Sequence, residues 1–387
     1  MVHSLSYPRI ATLPRGAFFL FGPRGVGKST WAKTKLAKAH RFDLLDESLY
    51  QSLLTNPSMF AAELLSLRKG SWVVVDEVQR IPPLLNEVHR FIEERKLRFA
   101  LLGSSARKLK TAGTNLLAGR AVHKNMFPFV PEELGRDFAI DKALRFGTIP
   151  LVWMAEQTSS TLKAYVQMYL KEEIRAEALV RNLPGFLRFL PLAALFHGQV
   201  VNISSIARDS GTARTTVNGY LEILEDTLLA YRLPAYEARL RARERKHPKL
   251  YWIDPGLVRA IKNQFGTVTA EEKGALLEGW VLTLLRAYAE EQELYHEIAY
   301  WSPLQAKQLE VDFLLKRGRD LLAIEVKSQP RYSTAMLSGL RAIGELPRVA
   351  RRVLVYGGSR SLRTSDGIDV WPPRRLLQAL ERGRLWP

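Results

Sequence analysis

Over the first third of the chain, short apolar runs alternate with segments of helical period. Residues 18–21, 72–75 and 99–102 are unbroken apolar runs that read as buried strands, and 42–45 reads as a short strand stopping at Asp46. Residues 29–39, 58–67 and 84–94 read as amphipathic helices between them. β-rich runs separated by helices predict a parallel sheet covered on both faces. Residues 136–198 read as mostly helical. The clearest case is 161–181, where Leu162, Tyr165, Val166, Tyr169, Leu170 and Ile174 recur at helical spacing. Residues 204–221 read as helix, tight turn at Gly211 and second helix, followed by a β-wing within 228–236. A basic stretch, 239–246, leads to a last region. There strands 250–253, 297–301, 311–315, 321–326 and 353–355 alternate with helices near 273–291 and 333–344. No internal repeat or low-complexity segment interrupts this order. The expected organisation is an α/β core at 1–135, a helical region at 136–198, a helix–turn–helix unit at 199–247 and a final α/β domain at 248–387.

Composition narrows the partners. The chain has 387 residues, 47% hydrophobic and 25% charged, enough for two to four globular domains. Lys and Arg number 57 against 39 Asp and Glu, a formal net charge of +18. Such an excess points to a polyanion, nucleic acid or an anionic membrane surface; a basic, Arg-rich proteome is the alternative. With no Cys, disulfides, thiol nucleophiles and Cys-ligated metals are excluded. No apolar run approaches the roughly 20 residues a bilayer needs, and residues 1–20 lack the layout of a secretion signal, so a soluble cytoplasmic protein is expected.

Specific chemistry begins at Gly22-Pro23-Arg24-Gly25-Val26-Gly27-Lys28-Ser29-Thr30, which fits G-x-x-x-x-G-K-[ST] between a strand and a helix. Glycines turn successive N–H groups inward on a phosphate chain, Lys28 reaches the β- and γ-phosphates, and the Ser29 hydroxyl holds Mg²⁺, so ATP and Mg²⁺ are the expected ligands. About fifty residues on, an apolar strand ends in Asp76-Glu77. Asp76 is expected to bind Mg²⁺ through water and Glu77 to orient and deprotonate the attacking water, which makes the site hydrolytic. A third strand ends in Gly103-Ser104-Ser105. Ser104 or Ser105 can stand between the γ-phosphate and Glu77, or the three residues can form a plain turn. Arg120 can act in trans as an arginine finger, or form a structural ion pair.

The last region carries a second constellation. Arg317-Gly318-Arg319-Asp320 is a hairpin turn signal between two apolar strands. A hairpin centred between Gly318 and Arg319 puts Asp312 opposite Glu325 and Glu310 opposite Lys327. Glu325 and Lys327, two apart, share a face. Facing carboxylates are costly unless a cation joins them. A solvent-facing edge of alternating charges is the plain alternative.

These motifs together resemble a prokaryotic group of AAA-type ATPases that end in a domain of unknown function with the PD-(D/E)xK restriction-endonuclease-like fold. The residues carrying the resemblance are 22–30, Asp76-Glu77-Val78-Gln79, Gly103-Ser104-Ser105, 117–120, 146–150, and Glu310-Val311-Asp312 with Glu325-Val326-Lys327. Residues 146–150 depart from the group's Gly-Gly-x-Pro, Thr148 replacing the second glycine. The resemblance implies an AAA-type P-loop sheet, a helical lid, a winged helix and a nuclease-like α/β domain. It also implies that Asp312 and Glu325 bind Mg²⁺, that Lys327 orients or activates water, and that Glu278 on the preceding helix completes the site. Arg214, Thr215, Thr216 and Asn218 on the second helix of the helix–turn–helix would face DNA, although winged helices also serve as protein contacts.

The leading expectation is an ATPase, stimulated by DNA, that remodels or translocates on duplex or branched DNA (forks, four-way junctions) as a homo-oligomeric, hexameric ring. One alternative is an ATP-regulated, Mg²⁺-dependent DNA endonuclease. The other is a nucleotide-switch protein in defence or toxin–antitoxin-type regulation.

Overall fold

The computed structural model describes residues 7–105, 107, 109, 117, 119–169, 183–236, 247–303 and 309–387. The basic stretch 239–246, Ala118 and the second half of the expected helix 161–181 lie outside them.

The N-terminal sheet is built from β1 (Ala17–Phe21), β2 (His40–Asp43), β3 (Trp72–Asp76), β4 (Arg98–Gly103) and β5 (Ala121–Asn125), all parallel, in the order β2-β3-β4-β1-β5. Helices α1 (Lys28–Lys35), α2 (Glu47–Thr55), α3 (Ser58–Leu65) and α4 (Leu84–Arg95) lie between the strands in sequence. Period-two alternation divides the strand side chains between two cores. Phe19, Phe21, Val73, Val75, Phe99 and Leu101 pack with Phe60, Leu85 and Phe91. Phe18, Leu20, Val74, Ala100 and Leu102 pack with Trp31 and Ala32 of α1. Both faces being covered explains the unbroken apolar runs. Each fully buried Phe or Leu contributes about 1.5–3 kcal/mol. Helix α1 stops at Lys35, short of Ala39, because Arg41 caps it: its Nη2 donates to the carbonyls of Ala32 (3.0 Å) and Leu36 (2.8 Å). Helix α2 has no counterpart in the apolar pattern; Asp46 starts it by accepting from the N–H groups of Ser48 and Leu49.

The middle of the chain is helical: α5 (Pro131–Leu134), α6 (Ile140–Phe146), α7 (Pro150–Trp153), α8 (Thr158–Ala164) and α9 (Leu183–Leu195). Helix α8 widens into a π turn at Tyr165–Tyr169. Then come β6 (Gln199–Val200), α10 (Ile203–Asp209), α11 (Arg214–Asp226), β7 (Ala230–Leu233), β8 (Lys249–Trp252) and α12 (Pro255–Ile261). Strand β8 lies on the C-terminal side of the expected 247/248 boundary, yet it pairs antiparallel with both β6 and β7. The loop before α7 is pinned from this region. Buried Asp254, the N-cap of α12, accepts from the N–H of Leu257 (3.1 Å) and from the N–H of Thr148 (2.7 Å). Thr148 needs no left-handed backbone, so the departure from glycine is accommodated.

The C-terminal region opens with α13 (Ala270–Ala289), started by a Thr269/Glu272 capping box. It continues through β9 (Glu297–Trp301), β10 (Val311–Arg317), β11 (Asp320–Lys327), α14 (Ser338–Ala342), β12 (Val349–Tyr356), β13 (Leu362–Arg363), β14 (Asp369–Trp371) and α15 (Pro373–Glu381). The strands form one six-stranded mixed sheet, ordered β13-β14-β12-β11-β10-β9. The β10–β11 hairpin pairs Phe313 with Ile324 and Arg317 with Asp320, the register of a turn centred between Gly318 and Arg319. The N-terminal sheet docks on the end of α13: Lys124 pairs with Glu291 (2.7 Å) and Asn125 Nδ2 donates to Glu290 (2.7 Å). Among the described residues no helix is long and apolar enough to cross a membrane.

Gly279, inside α13, faces His197. A Cβ there would lie 2.3 Å from the ring's Nε2, while Nδ1 accepts the N–H of Trp252 at 3.1 Å. Burial drives this imidazole down to about 3, so it is neutral. A helix-interior Gly→Ala change ordinarily stabilises by about 1 kcal/mol. Here the added methyl overpacks a wholly buried ring, which costs about 1–3 kcal/mol and reverses the sign. Gly279→Ala is therefore expected to lower the urea midpoint, and a raised midpoint would show that the contact yields freely.

Candidate functional site: a phosphate loop, an acidic pair and a remote charged cluster

The loop at 22–27 leaves β1 with Gly25 at φ 80° and Gly27 at φ 90°, backbone that L side chains rarely adopt, which is why glycine stands there. Lys28, at the start of α1, is buried. Its Nζ donates to the carbonyls of Gly22 (2.7 Å) and Pro23 (3.3 Å), so the loop curls around its own ammonium group. Three contacts hold the loop from outside. Arg9 Nη1 donates to the Val26 carbonyl (2.6 Å), the Leu151 N–H to the Gly25 carbonyl (3.1 Å), and the Tyr165 hydroxyl to the Arg24 carbonyl (2.9 Å). Arg9 also bonds the Phe127 carbonyl and the buried carboxylate of Glu133, clamping the loop to the start of the helical region. Sequence reasoning missed Arg9, Leu151 and Tyr165. Two of them act on carbonyls through side chains and one through its backbone, and no motif marks such contacts.

Strand order places the acidic pair. Because β4 runs between β1 and β3, its end at Gly103-Ser104 lies between the loop and Asp76-Glu77. Asp76 is nine-tenths buried, with Ser29, Lys28 and Glu77 as its polar neighbours. Burial raises its pKa, offset in part by Ser29 and Lys28. Glu77 has φ 56°, left-handed for a non-glycine residue, a conformation costing about 1–2 kcal/mol. It is fixed by its N–H on Asp76 Oδ1 (3.1 Å) and by the Arg80 N–H on its carbonyl (2.9 Å). The Gln79 amide then donates to the Glu77 carboxylate and to Ser104 Oγ (3.0 Å). Of the two serines, it is Ser104 that joins Glu77, through Gln79. Ser105 Oγ instead accepts the Arg107 N–H (3.0 Å). Gln79 stood in the motif without a role; its position two residues past Glu77 was the signal.

Two clefts meet at Gly27 and Thr30. One, of about 630 Å³, is lined by Arg24, Lys28, Ser29, Glu77, Leu151 and Thr161. The other, of about 670 Å³, runs between Tyr7, Arg9, Trp31, Phe129 and Met154. Arg120 lies far from both. It precedes β5, at the end of the sheet opposite the loop, and its Nε pairs with Glu93 (2.5 Å) on a partly exposed surface.

On α11, Arg214 and Thr215 are exposed and Thr216 is half-buried. Asn218 is engaged elsewhere: its amide donates to Glu222 (2.7 Å) and its carbonyl accepts from Arg232 (3.2 Å).

The C-terminal charged residues do converge. Asp312 Oδ2 accepts the Val326 N–H (2.8 Å), and Glu325 Oε2 accepts the Asp312 N–H (3.3 Å). Lys327 pairs with Glu325. Glu278 enters from α13 and accepts from the Tyr251 hydroxyl. The cation at the centre is one the sequence did not suggest. Lys249, only 3% exposed, reaches across from β8 to Glu278 (3.3 Å), Asp312 (3.5 Å) and Glu310. Burial works against its charge, but the surrounding carboxylates outweigh it and hold the ammonium protonated. Burial, together with the charge of Asp312, pushes Glu278 and Glu325 each up to about 8. Among the described residues no three His, Asp or Glu side chains are arranged to hold a metal ion. The positive charges beside the expected metal ligands are the ammonium groups of Lys249 at Asp312 and Lys327 at Glu325.

Residues 138–267 match a domain of unknown function (DUF8612). Uncharacterized proteins of Mycobacterium bovis and Mycobacterium tuberculosis are each 27% identical over 369 residues, 92% of this chain and 80% of theirs. The replication initiator DnaA bound to AMPPCP and single-stranded DNA aligns at 15% identity over 54% of this chain and 82% of that one. Its TM-score of 0.26 is too low to carry an argument. Residues 14–135 match an AAA domain, which with the parallel sheet supports a P-loop NTPase fold. That match, together with the match of 273–376 to a second domain of unknown function (DUF4143), supports placing this chain in an AAA-type ATPase family.

Proposed function

We propose that the chain hydrolyses ATP in the cleft between the phosphate loop and Glu77 and uses the cycle to remodel or translocate on duplex or branched DNA as a ring oligomer. The observation carrying the hydrolytic half is the hydrogen-bonded run Glu77–Gln79–Ser104, set beside Lys28, Ser29 and Asp76. The triphosphate fits the 630 Å³ cleft, and base and ribose fit the adjoining one. Lys28 exchanges the loop carbonyls for phosphate oxygens. Ser29 and Asp76, neighbours at the end of the loop, form a hard oxygen pair suited to Mg²⁺. Mg²⁺, when bound, neutralises charge on the β- and γ-phosphates. Glu77 takes the proton of the attacking water, with Gln79 fixing its carboxylate and Ser104 fixing Gln79. Arg120, remote from its own site and paired with Glu93, either holds that structural ion pair or leaves it to act at a neighbouring subunit's site in a ring.

DNA as partner is supported by the +18 charge and by the exposed Arg214 and Thr215 at the start of α11. No metal-dependent cleavage is assigned to the cluster around Lys249, whose two lysines are taken up by its own carboxylates.

Glu77→Gln is expected to reduce ATP turnover by about 10² or more while leaving ATP binding intact, and Lys28→Ala to abolish binding. Phosphate release and fluorescent-nucleotide titration separate the two. Unchanged turnover in the Gln variant would remove Glu77 from the chemistry. Wild-type turnover that is insensitive to added junction DNA, with no salt-dependent DNA binding, would overturn the DNA reading.

Lys249→Met is expected to destabilise the fold by about 3–5 kcal/mol, since it strips the cation from buried carboxylates. The pH dependence has a definite sign. Glu278, which Lys249 contacts directly, has a folded pKa of about 8, above its unfolded value, so its contribution is full below about pH 4 and is lost as pH rises through 8. The deficit of the variant should therefore be larger at about pH 8 than at about pH 5 in urea titrations. An equal deficit at both would mean that lost packing, rather than charge, explains it.

A further inference from the structure

A cleft of about 720 Å³ lies apart from the ATP site, at the carboxyl ends of three mutually parallel strands, β11, β12 and β14. Ligands of parallel sheets collect at such ends. Ser328 follows β11 directly, Gly357 and Gly358 follow β12, and Pro372 follows β14. Helices α6 and α13 close the other side.

The lining has two characters. Its floor is apolar, made by Leu144, Leu277 and Leu377 with the half-buried ring of Phe138. That ring is backed by Trp280, stacked at 5.9 Å between centroids and 7° between planes, so it is held as a rigid platform. The rim carries Lys273, Arg374 and Arg375 against one carboxylate, Asp141. Arg375 lies over the Trp371 ring (5.5 Å). Among the described residues, neither Lys273 nor Arg374 has a carboxylate within ion-pair distance, and α15 begins with no side-chain cap and no acidic residue in its first turn. An apolar, aromatic floor under a cationic rim fits a flat apolar ring joined to phosphate. The cleft also adjoins the charged cluster, through Lys327 next to Ser328 and Glu278 next to Leu277.

We propose that this cleft takes an unpaired nucleotide of a nucleic-acid strand, its base on Phe138 and its flanking phosphates on Lys273 and Arg374. The proposal rests on nucleic acid being the partner, and it names where a strand is held and in which form. A paired base cannot enter, because its faces are stacked within the duplex, whereas a single-stranded or frayed base offers its π-face at no pairing cost. Stacking on one ring changes affinity by about 5- to 150-fold, and two phosphate contacts make binding salt-dependent.

The test uses the full chain, without nucleotide, and fluorescence anisotropy of a labelled oligo(dT) and of a duplex of equal length. The Lys273→Glu/Arg374→Glu double variant keeps the fold intact, because both positions lie near helix N-termini, where a carboxylate is favoured over a cation. It is expected to weaken oligo(dT) binding about ten-fold or more and to flatten the salt dependence, with duplex binding changed by less than about two-fold. Phe138→Ala is expected to weaken oligo(dT) binding with the salt slope unchanged. ATP turnover without DNA, measured alongside, should be that of the wild type in the double variant. If the wild-type chain binds neither probe, the nucleic-acid reading itself falls. If it binds oligo(dT) and the double variant binds it equally well, the cleft is not the site. If free dTMP binds in a way the double variant abolishes while oligo(dT) binding is untouched, the occupant is a free nucleotide and the proposal is overturned.

Discussion

Much of this architecture turns on one buried carboxylate. Asp254 is fully enclosed, and burial pushes it up to about 6 even though backbone N–H groups on both sides stabilise its charge. Without it, the start of α12 and the turn at Thr148 would each leave an N–H unpaired in the interior, at about 1–3 kcal/mol apiece. The consequence reaches the nucleotide loop. The turn at 147–149 leads directly into α7, whose second residue donates its N–H to Gly25. A hydrogen-bond donor on the phosphate loop is thus positioned by a side chain more than two hundred residues away in sequence.

The same long-range logic governs the charged cluster. Four carboxylates and two lysines come from α13, β10 and the residue before it, β11 and β8, and the ammonium of Lys249 is what makes their proximity tolerable. A hairpin that places Asp312 against Glu325 requires a cation. This fold meets the requirement covalently, from a strand of a different sheet, and so couples the sheet holding β6, β7 and β8 to the six-stranded one.

What was legible in the sequence follows from the range of the interactions. Four strands of the parallel sheet, the phosphate loop, Asp76-Glu77 and the hairpin register rest on periodicity or on residues close in sequence, and these patterns identify them; β5, half-exposed and with no apolar run, has no such mark. The end of α1 was misread because Arg41, outside the helical pattern, caps it. Helix α2 was missed because its single fully buried residue, Leu53, leaves almost no apolar stripe. Strand β8 was assigned with its successors because its partners, β6 and β7, are distant or separated from it by the basic stretch. The roles of Arg9, Tyr165 and Lys249 arise only when remote segments meet, and a single sequence gives no trace of such meetings.

Lys249 also bears on how the chain can be divided. The boundaries suggested by the matched segments fall at 267 and 273, downstream of β8. A fragment beginning there would keep Glu278, Glu310, Asp312 and Glu325 and leave their central counter-ion behind. The C-terminal sheet is therefore not a free-standing module: its electroneutrality is borrowed from the preceding segment, and any recombination that exchanges one region without the other must replace that single positive charge.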